Sequence, residues 1–258
     1  MVGRKIKIIL LSGVLVLCLL LMIFFGANIA IESHEINKAN ELYSNVSVQF
    51  IPRSSHLAER EFIQASEPVE FTPFVNFGEM RNDFPDLVAW IQSEGTPINY
   101  PVVQGEDNYF YLNHLPNKTR NWMGSIFLDS RNSPDFSDRN IIIYGHNTSS
   151  GDMFGSLNWY MRPGFFERHP TMFLFTPDNN FEIILIAGYI LDATEEVPPI
   201  NFANEHEFNG FNKNVISRSI FGNNIAVEYG QRLVFLCTCT NSSDRNERLI
   251  IVGILAEI

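Results

Sequence analysis

Apolar residues follow two different patterns along this chain of 258 residues. From Ile8 to Ile31, 24 residues run without a formal charge. That exceeds the ~20 needed to cross a bilayer as a helix and the roughly 7–15 of a cleaved leader's apolar core. Arg4, Lys5 and Lys7 precede the run, and no clean small-x-small site follows it. The pattern favours an uncleaved anchor over a cleaved signal peptide, with the N-terminus cytoplasmic and everything after Ile31 outside. Residues 32–60 are mostly polar with one helical-looking patch and read as a stalk. The expected organisation is a cytoplasmic stub and anchor over 1–31, a stalk leading into an N-terminal helical region over 32–70, and one domain over 71–258.

Within that domain the period changes. In "NFGEMRNDFPDLVAWIQ" (76–92), Phe84, Leu87, Val88 and Ile91 recur at helical spacing and predict an amphipathic helix. Short β-type runs follow: "INYPVV", "GSIFLD", "NIIIYGH", "TMFLF", "FEIILIAGYIL", "RLVFLCTC" and "RLIIVGILAEI". "TPDNN" between two of them suits a hairpin. Short helices are expected in "NYFYLNHL", "MFGSLNWY" and "NEHEFNGFNKNVISRSI". Seven or eight short strands with few long helices predict a mainly β fold, a closed or nearly closed barrel decorated by helices.

Charge narrows the function classes. With the three basic residues of the head set aside, 15 Lys and Arg face 29 Asp and Glu, so the portion beyond the anchor is near −14. Phosphate binding needs a concentrated basic surface, which argues against nucleic acid. Of three cysteines, Cys18 falls in the apolar run, leaving Cys237 and Cys239 outside. Residues i and i+2 of a strand share a face with nearly parallel Cβ vectors, a poor arrangement for a disulfide. The pair could ligate zinc with His146, but Cys-x-Cys alone is a weak signature. No metal and no cofactor are expected.

A cysteine nucleophile needs an imidazole and a group to hold an oxyanion. His34, His56, His169 and His206 sit in polar or turn settings. His146 differs: it follows the apolar run "NIIIYG" and opens a Ser/Gly-rich loop, where catalytic groups often occur. "RLVFLCTC" ends at Cys239, and Arg248 opens "RLIIVGIL" after the polar loop "TNSSDRNE". If those strands are antiparallel neighbours, Cys239 and Arg248 meet at one rim, ~4.8 Å apart across the ladder. A guanidinium there can lower a thiol pKa and stabilise charge on a carbonyl oxygen. A solvated arginine at a strand end is the alternative, and Arg245 is the nearby competitor.

Taken together these blocks resemble the class B sortases, membrane-anchored cysteine transpeptidases of Gram-positive bacteria. The resemblance rests on "FLCTC", "IIIYGHNTSSGDMFGSL", "RLIIVGIL", "INYPVVQGEDNYFYLNH" and "GSIFLDSRN", in family order from about residue 75 to 258. It implies a sortase-like closed eight-stranded barrel with N-terminal helices, and a catalytic set of His146, Cys239 and Arg248. Asn108, Leu112, Cys237 and Thr238 become candidates for contact with the peptide. The implied activity is cysteine-peptidase chemistry of the C60 type, within the hydrolase class. It cleaves an NPxTN-like C-terminal sorting signal after Thr, through a thioester. The implied partners are surface proteins carrying that signal and an amine acceptor, either a lipid II-type wall precursor or a pilin. A Cys–His hydrolase on the same scaffold, and a non-catalytic or metal-binding tethered module, stay open as alternatives. Cys237 stands where the family usually has a small residue such as Ser, a place to line the groove or respond to oxidation. Phe235 stands where Thr is common, and "EEVPPINF" within 192–231 has no residue-by-residue match to the family.

Overall fold

The computed structural model describes residues 2–50, 75–192, 194–222, 225–239 and 247–258; for residues 2–12, 47–50 and Cys239 it describes the backbone alone. Chain contacts define two compact units, Met1–Leu42 and Tyr43–Ile258. Helix α1 (Val2–Phe50) runs 49 residues, and its part in the first unit exposes apolar side chains from Val14 to Phe25. It is the one described helix long and apolar enough to cross a membrane. The expected stalk is therefore helical as far as Phe50. No proline or glycine lies between Gly26 and Pro52, so nothing in the sequence breaks the ladder. His56 and the rest of 51–74 lie outside the described residues. In the second unit Tyr43 is buried, donates to Gly124 O at 2.9 Å and meets Tyr100 edge-on.

The helix expected over 76–92 is only half present. Helix α2 (Phe77–Asp83) begins where Asn76 Oδ1 accepts the Glu79 amide at 3.2 Å. It stops because Pro85 disfavours helical geometry at Phe84, which lies at φ −123, ψ 79. Leu87–Gln92 is strand β1, buried along nearly its whole length. Its apolar run fits a strand covered on both faces as well as it fits a helix.

The remaining strands are β2 (Asn99–Gln104), β3 (Ile126–Leu128), β4 (Asn140–Tyr144), β5 (Thr171–Phe175), β6 (Asn180–Asp192), β7 (Phe221–Gly222), β8 (Arg232–Cys239) and β9 (Glu247–Glu257). Their order is β5-β1-β2-β3-β4-β8-β9-β6, and β5 also pairs with β6. Eight strands thus close on themselves, a mainly β barrel as the sequence predicts, and β7 adds a short edge to β6. β2–β3 and β4–β8 are parallel and the other ladders antiparallel. The predicted hairpin joins β5 to β6, closed by Thr176 N on Asn179 O at 2.9 Å. Helix α3 (Phe165–Arg168) and two 3₁₀ turns, Phe110–Leu112 and Gly155–Met161, decorate the connections.

Helix α4 (Glu205–Ser217) lies in the β6–β8 connection. Its Phe208 and Val215 pack with Leu233, Phe235 and Cys237 of β8 and Ile250, Val252 and Ile254 of β9. By strand alternation Val234, Leu236 and Thr238 face the other way, and all three are buried. β8 is covered on both faces, which is why its sequence reads as a continuous apolar run.

Close approach of strands explains Gly253, which faces Leu185 of β6 and Val234 of β8. A Cβ there would overlap Ile183 Cγ2 and come within 3.1 Å of Ile184 O. Gly253→Ala should therefore destabilise the fold by about 1–3 kcal/mol, read from a lower urea midpoint. An unchanged midpoint contradicts this account of the β6–β9 packing.

Candidate active site

One rim of the barrel gathers residues that lie 93 and 9 positions apart in sequence. β4 and β8 run parallel with Tyr144 beside Cys237, and Gly145 N continues the ladder by donating to Cys237 O at 3.1 Å. His146 is the next residue, just past the end of β4. β8 and β9 run antiparallel, and their last pair is Cys239 with Arg248. The register proposed from sequence is present, and the ends of β4 and β8 and the start of β9 share one rim. Arg245 and the rest of the loop 240–246 lie outside the described residues.

His146 is held from two sides. Its Nε2 lies 2.6 Å from the Leu112 carbonyl. A carbonyl only accepts, so Nε2 is the donor of this bond and Nδ1 is left free of it. The loop beyond is a closed turn: Phe154 N donates to His146 O at 3.0 Å and Thr148 Oγ1 to Asp152 O at 2.8 Å. Gly155 fits against this turn because a Cβ would meet Thr148 O at 2.5 Å. The Ser/Gly-rich stretch therefore fixes the histidine's backbone.

Beneath the rim sits a hub with no conspicuous sequence signature. Asp129 is fully buried and binds Arg131 through two guanidinium nitrogens at 2.9 and 2.8 Å. The Tyr144 hydroxyl donates to the same carboxylate at 2.9 Å. Burial alone would raise the Asp129 pKa, but the hydrogen bonds from Arg131, Tyr144 and Asn108 outweigh it and hold the carboxyl below its usual range. Burial, then the neighbouring Cys237 and Asp129, push the Tyr144 phenol up, so it stays a donor. Asn108 also accepts the Ser130 amide at 2.7 Å. It thereby ties Asp129 to the loop whose Leu112 carbonyl holds His146. The available signal was the block "GSIFLDSRN" ending in two opposite charges two residues apart.

The remaining candidates separate. Leu112 is partly exposed beside His146, and Asn108 is half-buried in the hub. Cys237 does not line an open surface: it is 2% exposed among Tyr144, Tyr189 and Ile250. Burial pushes its thiol up, and the opposing pull of Arg248 does not offset this. The Thr238 side chain is buried on the face opposite Cys237, its hydroxyl without a partner among the described residues. Strand alternation explains this placement.

A protonated, covered thiol is a poor nucleophile. In the folded chain at pH 7, iodoacetamide should leave Cys237 unmodified, while the urea-unfolded chain should take it up there. Peptide mapping by mass spectrometry reads both, and rapid labelling of Cys237 in the folded state contradicts its burial.

No family model matches the chain. Sortase B of Listeria monocytogenes is 33% identical over 184 residues, covering 68% of this chain and 75% of that protein. The structure of Clostridium perfringens sortase B superposes with a TM-score of 0.66 at 32% identity, covering 69% of this chain and 98% of that one. Sortase B from B. anthracis in complex with AAEK1 gives a TM-score of 0.72 at 25% identity, over 88% of this chain and 99% of that one.

Proposed function

The chain belongs to the sortase B family, and on that premise we propose that Cys239, His146 and Arg248 carry out transpeptidation on a C-terminal sorting signal. The observation that carries the assignment is the pairing of Cys239 with Arg248 beside the end of β4, where the Leu112 carbonyl orients His146. Support for an anchored enzyme comes from the apolar part of α1. In this reading α1 crosses the cell membrane once, leaving the N-terminus in the cytoplasm and the barrel outside.

The steps follow from the groups present. The Cys239 thiolate attacks the carbonyl carbon of the signal's Thr–x peptide bond, and the oxygen takes the negative charge beside the Arg248 guanidinium. Collapse breaks the C–N bond, leaving a thioester on Cys239. The departing amine takes its proton from the His146 imidazolium. An acceptor amine, from a wall precursor or a pilin, then loses its proton to His146 as its nitrogen attacks the thioester. The new amide forms and Cys239 leaves as thiolate. The bond to Leu112 leaves Nδ1 as the nitrogen that exchanges protons. Asn108 and Leu112 flank the entering peptide, and Cys237 supports the groove from below. If water takes the place of the amine, the same machinery is a hydrolase.

The test uses the full-length chain in detergent with an NPxTN-like peptide. Cys239→Ala should abolish cleavage, whereas Cys237→Ala should keep most of it; the opposite outcome overturns the assignment. Arg248→Lys should lower kcat/KM roughly a hundredfold, because an ammonium lacks the planar fork that fixes both substrate and oxyanion. A near-normal rate contradicts that role.

A further inference from the structure

The chain leaves the barrel beside the candidate site at the end of β6, where Leu191 pairs with Arg248 and Asp192 with Glu247. It first folds into a tight turn. Thr194 N donates to Asp192 Oδ1 at 2.8 Å, Glu195 N to Asp192 O at 2.9 Å, and Asp192 N to Glu195 Oε1 at 3.1 Å. The segment then ends against the far end of β4, where Asn140 donates its Nδ2 to Pro199 O at 2.6 Å and its N to Ile200 O at 2.9 Å. Ile200 and Phe202 pack on the apolar cluster that contains Cys237. Residues 195–200 therefore run from the rim across the outer face of β8 and β4. Pro198 and Pro199 have no amide hydrogen to donate; Pro198 is buried, and hydrogen bonds fix both ends of the span.

Arg218, the residue that caps α4, holds the rim end. Its Nη1 and Nη2 donate to the two Glu195 carboxylate oxygens at 2.8 and 2.9 Å, and Nη2 also donates to Ile190 O at 2.7 Å. The guanidinium carbon lies 5.1 Å from the centroid of Tyr189. Tyr189 is buried in the same cluster as Cys237. One planar group thus joins the end of α4, the edge of β6 and the turn that starts the span, with the forked geometry peculiar to arginine.

We propose that Arg218 is a positioning residue. Through Glu195 it sets the wall that residues 195–200 present to the peptide, and so controls peptide binding rather than the chemical steps. This rests on the transpeptidase reading, since the wall matters only if the peptide lies along the β4–β8 face. Arg218 itself touches neither substrate nor the reacting groups.

Two readouts on the full-length chain in detergent test it. Arg218→Ala should raise KM for the NPxTN-like peptide about tenfold while kcat stays within about twofold, because misplacing a wall costs binding before chemistry. Arg218→Lys should recover part of the loss through a single ammonium contact. Hydrogen–deuterium exchange should quicken at amides 190–200 in Arg218→Ala and stay unchanged in β8 and β9. Unchanged KM, or a fall in kcat at constant KM, overturns the proposal, and so does unchanged exchange at 190–200. If the wild-type chain leaves the peptide intact, the transpeptidase reading fails by itself, and the exchange arm still decides whether the clamp holds the span.

Discussion

Strand β8 is hydrogen-bonded along both edges, parallel to β4 and antiparallel to β9, and the candidate site exists only while both registers hold. Register is fixed by bulk on two covered faces. Leu233 and Phe235 fill the space under α4, and Val234 and Leu236 occupy the opposite face. A slip of one residue would exchange these sets and move Cys239 to the other side of the sheet. The same ladders put Tyr144 next to Cys237 and Arg248 next to Cys239. Strand pairing thereby converts a sequence separation of about a hundred residues into adjacency, at positions a rigid barrel cannot easily displace.

Beneath that rim the polar groups form a second constraint. A buried carboxylate is costly unless it is paired and hydrogen-bonded. Asp129 meets the requirement with Arg131, Tyr144 and Asn108. The connection runs onward through the loop bearing Leu112 to the His146 ring, whose orientation is set by a bond to a backbone oxygen. Cys237 belongs to the same layer, but its role is packing: the burial that seats it among Tyr144 and Tyr189 also keeps its thiol protonated. Two cysteines separated by a single residue thus have unlike settings. One ends a strand beside an arginine, and the other is sealed beneath it.

The barrel strands were legible wherever apolar runs were short and bounded by turn residues, as in β4, β8 and β9. The pairing of Cys239 with Arg248 followed from the short loop between their strands. For β1, Phe84, Leu87, Val88 and Ile91 match both a helical stripe and a doubly covered strand, so periodicity alone does not separate the two; the deciding signal is Pro85. Alternation puts Thr238 opposite Cys237, and its side chain is buried there. Neither the Asp129 hub nor the Arg218–Glu195 clamp was legible. Each depends on contacts between residues 15 to 23 positions apart, which only the folded barrel brings together.

The central claim is that Cys239 becomes covalently acylated and that an amine resolves the thioester. Intact-mass and peptide-mapping mass spectrometry of the full-length chain, incubated with a sorting-peptide library and a diglycine or pentaglycine acceptor, tests it most directly. The account predicts a transient adduct mapping to Cys239, with the mass of the peptide up to its Thr, and a product extended by the glycine acceptor. An adduct on Cys237, or cleavage with no adduct on Cys239, would contradict it.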